Sequence, residues 1–443
     1  MDQERYLFVE TQGCQMNDSD SEKIAGLLAG HNYMPTADKE KADLIILNTC
    51  SVRNKAEHKV YSYLGTLRPY KEKKPELIIG VGGCVAQQKG ESLLKRVPYL
   101  DIVFGTHNIH KLPELIDNAR VRNERASETR FYEGEPEIFL DPVLARPADL
   151  GTGKVTGLVT VMLGCDNFCS YCIVPYVRGR EISRPSADII REIEGLVETG
   201  VKEVTLIGQN VNSYEGGVGE DTDFPSLLSE INSIDGLKRI RFMTSHPKDL
   251  SESLIDSFCS LSKLCEHTHL PVQSGSDIIL ERMNRGYSRD AYLKKVQALR
   301  GKSPEMAITS DIIVGFPGET DADFDDTMDM TERVRYDALF AFKYSPRPET
   351  RAAGMTDQVP EDIKERRLTA LFDKQREISL EKNREYEGRI VEVLLEGRDP
   401  ERLSGKSRAF KTVYLKGDER LVGETVMARI TKGSANSLTG EII

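Results

Sequence analysis

The stretch GCDNFCSYCIVPYVRGREISRP, residues 164–185, decides how the chain is read. It follows an apolar run, GLVTVML (157–163), and carries Cys165, Cys169 and Cys172 in the spacing C-x3-C-x2-C. A common four-iron cluster takes four thiolates, and a structural zinc takes four ligands. Three cysteines leave one coordination place for something else. Zinc sites usually pair two short cysteine or histidine clusters. Here no second C-x2-C occurs, and the next histidine downstream is His246. An iron–sulfur cluster with three protein thiolates fits better. Its fourth iron is exposed, which makes it a site for chemistry rather than electron storage alone.

The same count recurs upstream. Cys14 ends TQGC, Cys50 ends NTC and Cys84 ends GGC. Each follows a strand candidate: RYLFVET, ADLIILNT and ELIIGVGG, with DIVFG as a fourth. Helical patterns such as SDSEKIAGLLAG and VRNKAEHKVYSYLGTL lie between them. That alternation predicts a parallel sheet covered by helices on both faces. Ligands of open α/β sheets bind at the carboxyl ends of strands. Three cysteines 36 and 34 residues apart are therefore expected on one edge, holding a second cluster with one unprotected iron. Cys259 and Cys265 are read as buried small hydrophobes.

Downstream of the opening stretch, six strand candidates run to about residue 345: GLVTVML, EVTLIG, RIRFMT, EHTHLP, AITSDIIVG and ALFAFKY. Six βα units predict a partial barrel. Polar motifs follow each strand: GCDNFCSYC, GQNVNSY, TSHP, HLPVQSGS, VGFPGET and KYSPRP. The reactive face of a parallel α/β barrel is where its strands end, so this rim is read as one active site. The stretch 349–382 looks helical. From about 383 short alternating strands with glycine turns predict a small β-barrel. The fold class is thus α/β. It comprises an N-terminal open parallel α/β sheet domain (5–121), a linker (122–150), a central partial (β/α)6 barrel (151–382) and a C-terminal small antiparallel β-barrel (383–443).

Charge narrows the partners. The chain of 443 residues carries a formal net charge of −11, which argues against nucleic-acid binding through bulk positive charge. Residues 383–443 carry +1 and the rest −12. Within GKSRAFK (405–411), Lys406, Arg408 and Lys411 surround Phe410, a pattern suited to single-stranded RNA. No run of about 18 apolar residues exists, so no membrane span is expected. MDQERYLFVE lacks the apolar core of a signal peptide,. A cytoplasmic protein with reduced cysteines is the expectation.

C-x3-C-x2-C after the first strand of a partial barrel resembles the radical S-adenosylmethionine (SAM) superfamily. The order of parts resembles its methylthiotransferase family, whose C-terminal β-barrel, TRAM, is associated with RNA. The strings TQGCQMNDSDS (11–21), NTCSVRNKAEHK (48–59) and GCDNFCSYCIVPYVRGREISRP are similar to the branch acting on tRNA. That branch converts N6-isopentenyladenosine, just 3′ of the anticodon, to its 2-methylthio form. Branches acting on a ribosomal-protein aspartate or on threonylcarbamoyladenosine commonly carry lysine where Gln15 stands. A non-enzymatic iron–sulfur protein that binds RNA is the alternative from another class.

The resemblance implies two 4Fe-4S clusters and SAM as cofactors. Cys165, Cys169 and Cys172 would hold the cluster that splits SAM into methionine and a 5′-deoxyadenosyl radical. Cys14, Cys50 and Cys84 would hold an auxiliary cluster carrying the sulfur. Gln209 and Asn210 stand where related enzymes meet the methionine end of SAM. Ser245, His269 and Gln273 share the rim. Asp311, Ile313 and Gly315 lie where the adenosyl group is often contacted, although the string departs from G-x-I-x-G. Arg178, Arg180 and Arg184 are candidates for RNA phosphate, since guanidinium suits that geometry. The expected partners are the tRNA anticodon loop and an electron donor such as flavodoxin or ferredoxin, and a monomer is expected.

Overall fold

A computed structural model of the chain describes residues 4–51, 56–132, 139, 153–217, 219–399 and 402–443. Strands β1 (Arg5–Gln12), β2 (Tyr33–Pro35), β3 (Leu44–Thr49), β4 (Ile78–Gly83), β5 (Ile102–Phe104) and β6 (Ala126–Glu128) form one sheet in the order β2-β1-β3-β4-β5-β6. Every pairing is parallel. LIILNT and IIGVGG are buried throughout, as strands with both faces covered must be. Ile45 and Leu47 point into one core, Leu44 and Ile46 into the other. Helices α1 (Gln15–Ala29), α2 (Ala56–Lys73), α3 (Cys84–Lys89), α4 (Glu91–Arg96) and α5 (Leu112–Arg122) cover the faces.

The sheet register sets up the first cysteine group. Gln12 pairs with Thr49, and Thr49 pairs with Gly83. Cys14, Cys50 and Cys84 come one or two residues beyond that row. Strand β6 differs from the sequence reading, which places 122–150 in a linker. Its three residues have no apolar run, and backbone pairing to β5 holds them in the sheet. Residues 133–138 and 140–150 of that stretch lie outside the described residues.

The central part begins with β7 (Thr156–Thr160) and β8 (Met162–Leu163), then α6 (Val174–Arg178), β9 (Ile182–Ser183) and α7 (Ser186–Glu198). It continues through β10 (Glu203–Ile207), α8 (Phe224–Asn232), β11 (Arg239–Phe242), α9 (Glu252–Ser260) and β12 (His267–His269). Helices α10 (Asp277–Arg282) and α11 (Arg289–Lys302), β13 (Ala307–Val314), α12 (Asp321–Val334), β14 (Ala338–Lys343) and α13 (Glu361–Arg384) complete it. Six of these strands pair in parallel, as β11-β10-β7 and β12-β13-β14. An Ile240–Leu264 bridge links the halves into one arc. Ile308, Ile312 and Val314 face the helices, so alternation turns Thr309, Asp311 and Ile313 inward.

The C-terminal strands β15 (Ile390–Asp399), β16 (Arg402–Ser407), β17 (Thr412–Lys416), β18 (Thr425–Gly433) and β19 (Leu438–Ile442) close as β15-β16-β17-β19-β18. One contact, β17 with β19, is parallel. The β16–β17 hairpin carries the basic stretch read above as an RNA contact. Its backbone carbonyls pack on the floor of the central barrel. Arg239 donates to the Lys406 carbonyl, and Arg241 to the carbonyls of Ser407 and Arg408, each at 2.7 Å. Both arginines are 1% exposed and share Glu203. Arg408 pairs with Glu266, Lys411 is buried against Asp337 at 2.9 Å, and Lys406 donates to Thr412. Buried charge must be paired, as Lys411 is by Asp337; Arg408 and Lys406 are half-buried, the first held by Glu266 and the second on a hydroxyl.

Candidate active site

The auxiliary thiols sit where three strands end. Cys14 caps α1, Cys50 donates its N–H to the Gln12 carbonyl at 3.0 Å, and Cys84 opens α3. Asn17, fully buried, ties the group together. Its Oδ1 accepts from the Cys14 N–H and thiol at 3.3 and 3.4 Å, and its Nδ2 donates to Asn48 and to the Thr49 carbonyl. Gly83 has φ +86°, and a Cβ there would stand 2.3 Å from the Thr49 carbonyl. The thiols interact with one another. Hydrogen bonding with Cys50 draws Cys14 and Cys84 down to about 6, with the Arg178 charge assisting, while Cys50 is pushed up.

The second thiol group lies in a pinched loop. Antiparallel pairing of β8 with β9 holds its ends. Gly164, at φ +74°, has room for no side chain: a Cβ would lie 1.8 Å from the Arg180 carbonyl. Its N–H donates to Gln209 Oε1 at 2.6 Å. Asn167 donates to the Cys165 sulfur at 3.4 Å, and Arg285 donates to the Cys169 sulfur at 3.3 Å. Burial pushes Cys165 up and takes Cys172 to about 12. Two all-thiol sets, each with guanidinium charge beside it, fit iron–sulfur clusters.

The rim residues fall into two groups. Gln209 and Asn210 follow β10, and their N–H groups donate to the Met162 sulfur at 3.1 and 3.4 Å. Asn210 Nδ2 reaches Asp249 at 2.8 Å. Asn210 Oδ1, Ser245 Oγ and His246 Nε2 are buried with no partner among the described residues, as polar atoms awaiting a ligand would be. Burial takes His246 down to about 2. On the facing side, His269 Nδ1 meets Thr309 at 3.0 Å and its Nε2 lies 3.5 Å from Asp311. Gln273, at φ +72°, pairs its backbone with Asp311 and Ile313. Gly315, at φ +68°, turns the chain after β13, against Lys364.

Three stretches match described families: an uncharacterized protein family, UPF0004, at 6–105, the Radical SAM superfamily at 159–331 and the TRAM domain at 384–443. The chain is 54% identical over 444 residues to the tRNA-2-methylthio-N(6)-dimethylallyladenosine synthase of Geotalea uraniireducens, covering 100% of both. It is 55% identical to that of Geobacter metallireducens, covering 99% of this chain and 98% of that one. The chain belongs to the tRNA-2-methylthio-N(6)-dimethylallyladenosine synthase family. A solved radical SAM methyltransferase, TsrM of Kitasatospora setae, holds cobalamin and a 4Fe-4S cluster. It superposes with TM-score 0.60 at 14% identity, over 79% of this chain and 77% of that one, a likeness of fold.

Set within this synthase family, the arginines of the opening stretch separate. Arg184 is 2% exposed and bonded to Glu192. Arg178 is 3% exposed and bonded to Asp20 at 2.8 Å. Neither is placed to meet phosphate, because an internal carboxylate holds each. Arg180 stays outside, over the Phe168 ring and 3.0 Å from Asp166. It lines a cavity of about 820 Å³ with His107, Tyr132, Glu181 and Glu215. Burial raises Glu181 to about 7. Sequence reasoning misses Asn17 and Arg285, which hold the cysteines from outside the motifs. Only Asn17, three residues past Cys14, stands close enough to be suspected. Cys265 is buried as expected, but Cys259 is exposed on α9.

Proposed function

We propose that this chain is a radical SAM tRNA methylthiotransferase that converts N6-isopentenyladenosine, just 3′ of the anticodon, to its 2-methylthio derivative. The observation that carries this is a whole-length match to named synthases in a chain that gathers two three-cysteine groups at neighbouring strand ends. When bound, the clusters and SAM supply the sulfur, the methyl group and the radical that adenine C2 requires, because that C–H is too weakly acidic for a side-chain base.

The chain's own residues position these parts. Cys165, Cys169 and Cys172 hold one cluster, and Cys14, Cys50 and Cys84 the other. Gln209 fixes the loop of Cys165, Cys169 and Cys172 through Gly164, and Arg285 offsets thiolate charge at Cys169. Asn210, Ser245, His269, Gln273, Asp311 and Ile313 line the rim for SAM and the adenine. The groups are neighbours, since Cys84 packs on Ile173 and Val177, just past Cys172. Adenine C2 is reachable once the base leaves its stack, which a loop permits more readily than a duplex. Arg180, at the mouth of its cavity, is the phosphate contact that exposure leaves in the opening stretch. A flavodoxin or ferredoxin supplies electrons, and the chain acts as a cytoplasmic monomer. No helix among the described residues is long and apolar enough to cross a membrane.

The test is mass spectrometry of tRNA from a strain lacking the gene. 2-Methylthio-N6-isopentenyladenosine should vanish and return with the wild-type copy. Its persistence in the deletion strain would sink the proposal.

A further inference from the structure

Arg178 stands six positions after Cys172 and ends α6. The N-terminal domain grips this end of the helix. Thr106 donates to the Val177 carbonyl at 2.8 Å, and His107 Nε2 meets the Arg178 carbonyl at 2.9 Å. Ile173 and Val177 pack directly on Cys84. The guanidinium is therefore carried by the SAM-cluster loop but delivered to the auxiliary thiols.

Its partners are incomplete. Nη2 donates to Asp20, itself 4% exposed. Nη1 is buried and reaches no acceptor at hydrogen-bonding geometry among the described residues. A buried N–H left unmade costs about 1–3 kcal/mol, more on a charged group. The guanidinium faces the Cys84 thiol, with Cys14 also within reach of its charge. An iron–sulfur cluster on these thiolates would bring anionic sulfur beside the free nitrogen. Hydrogen bonds to cluster sulfurs and nearby positive charge favour the reduced, more negative state.

We propose that Arg178 is a positioning residue of the auxiliary cluster: it donates from Nη1 to sulfur at the Cys84 corner and holds that cluster's reduction potential up. The inference rests on the assignment of Cys14, Cys50 and Cys84 as ligands. It makes Arg178 a strut between the two clusters, so that one side chain answers to the geometry of both.

The experiment uses the full chain carrying Cys165→Ala, Cys169→Ala and Cys172→Ala, so that only the auxiliary cluster is loaded. Iron content, the electron paramagnetic resonance spectrum of the reduced cluster and its midpoint potential are compared with Arg178 intact, as Arg178→Lys and as Arg178→Met. Asp20→Asn serves as a variant of opposite sign. The potential should move negative in Arg178→Met, recover in part in Arg178→Lys and move positive in Asp20→Asn. Should Arg178→Met not fold, Arg178→Gln, which keeps a donor and drops the charge, decides in its place, and its potential should move negative. Variants that keep their iron with an unchanged potential and spectrum overturn the role of Arg178. A triple-cysteine variant that binds no iron overturns the ligand assignment itself.

Discussion

Phe410 stacks on His267, with ring centroids 4.6 Å apart and planes 27° from parallel. The two residues come from different domains. Phe410 tips the β16–β17 hairpin, and His267 opens β12 on the barrel floor. Arg241 also lies over the Phe410 ring, 5.0 Å from its centre. The hairpin supplies the carbonyls that a buried arginine pair requires, so the C-terminal barrel is part of the central barrel's structure. Arg241→Ala should lower stability by about 3–5 kcal/mol, because it leaves Glu203 buried with a weaker partner. Phe410→Ala should cost about 2 kcal/mol, less than a fully buried phenylalanine. Urea denaturation of the full chain reads both. Values near zero would mean that the hairpin rests on the barrel without supporting it.

Removal of residues 384–443 tests the same seam more severely. The truncated chain loses the carbonyl partners of Arg239 and Arg241 and the Glu392 carboxylate 2.8 Å from Arg239. It should melt well below the full chain and bind less iron. If its melting temperature matched that of the full chain, the domains would be independent.

Gly164→Ala should disable the SAM-cluster loop while sparing the auxiliary site. The new methyl group would meet the Arg180 carbonyl, which is backbone and cannot swing aside, and a positive φ is strained for alanine. Iron per chain should fall by about half after anaerobic reconstitution, and reductive SAM cleavage should disappear. Retention of both would show that the loop can re-form around a side chain.

The strands and the rim were legible in the sequence because apolar runs and turn motifs are local signals. So was the convergence of Cys14, Cys50 and Cys84, which follows from strand order. The fate of the basic residues was not. Arg178, Arg184, Arg408 and Lys411 look like phosphate ligands in one dimension, but their carboxylates, Asp20, Glu192, Glu266 and Asp337, lie 158, 8, 142 and 74 positions away. Arg285, against Cys169, is hidden for the same reason. A side chain's partner across a tertiary contact leaves no periodic trace.

Asn17→Ala should weaken the auxiliary site alone. The amide oxygen receives the Cys14 N–H and thiol, and its nitrogen crosses to Asn48 and Thr49. Alanine leaves those buried groups unpaired, at about 1–3 kcal/mol. Auxiliary iron should fall while SAM cleavage persists at the other cluster. Equal loss of both would indicate general unfolding instead.

Glu319 offers a pH test away from both thiol groups. Burial raises its carboxyl from the ordinary 4.5 to about 7, against the pull of the Gly315 N–H and of Arg367 at 2.8 Å. The folded state therefore favours the protonated form. Its contribution to stability is fully present below about 4.5 and is lost as pH rises through about 7. Glu319→Gln keeps an acceptor for Gly315 and removes the titration. The urea midpoint of the wild type minus that of Glu319→Gln should fall between about pH 5 and pH 8. Taking the difference cancels groups common to both proteins, including Glu181, which titrates in the same window. A difference that stays flat, or rises with pH, would mean that Arg367 rather than burial governs the carboxyl.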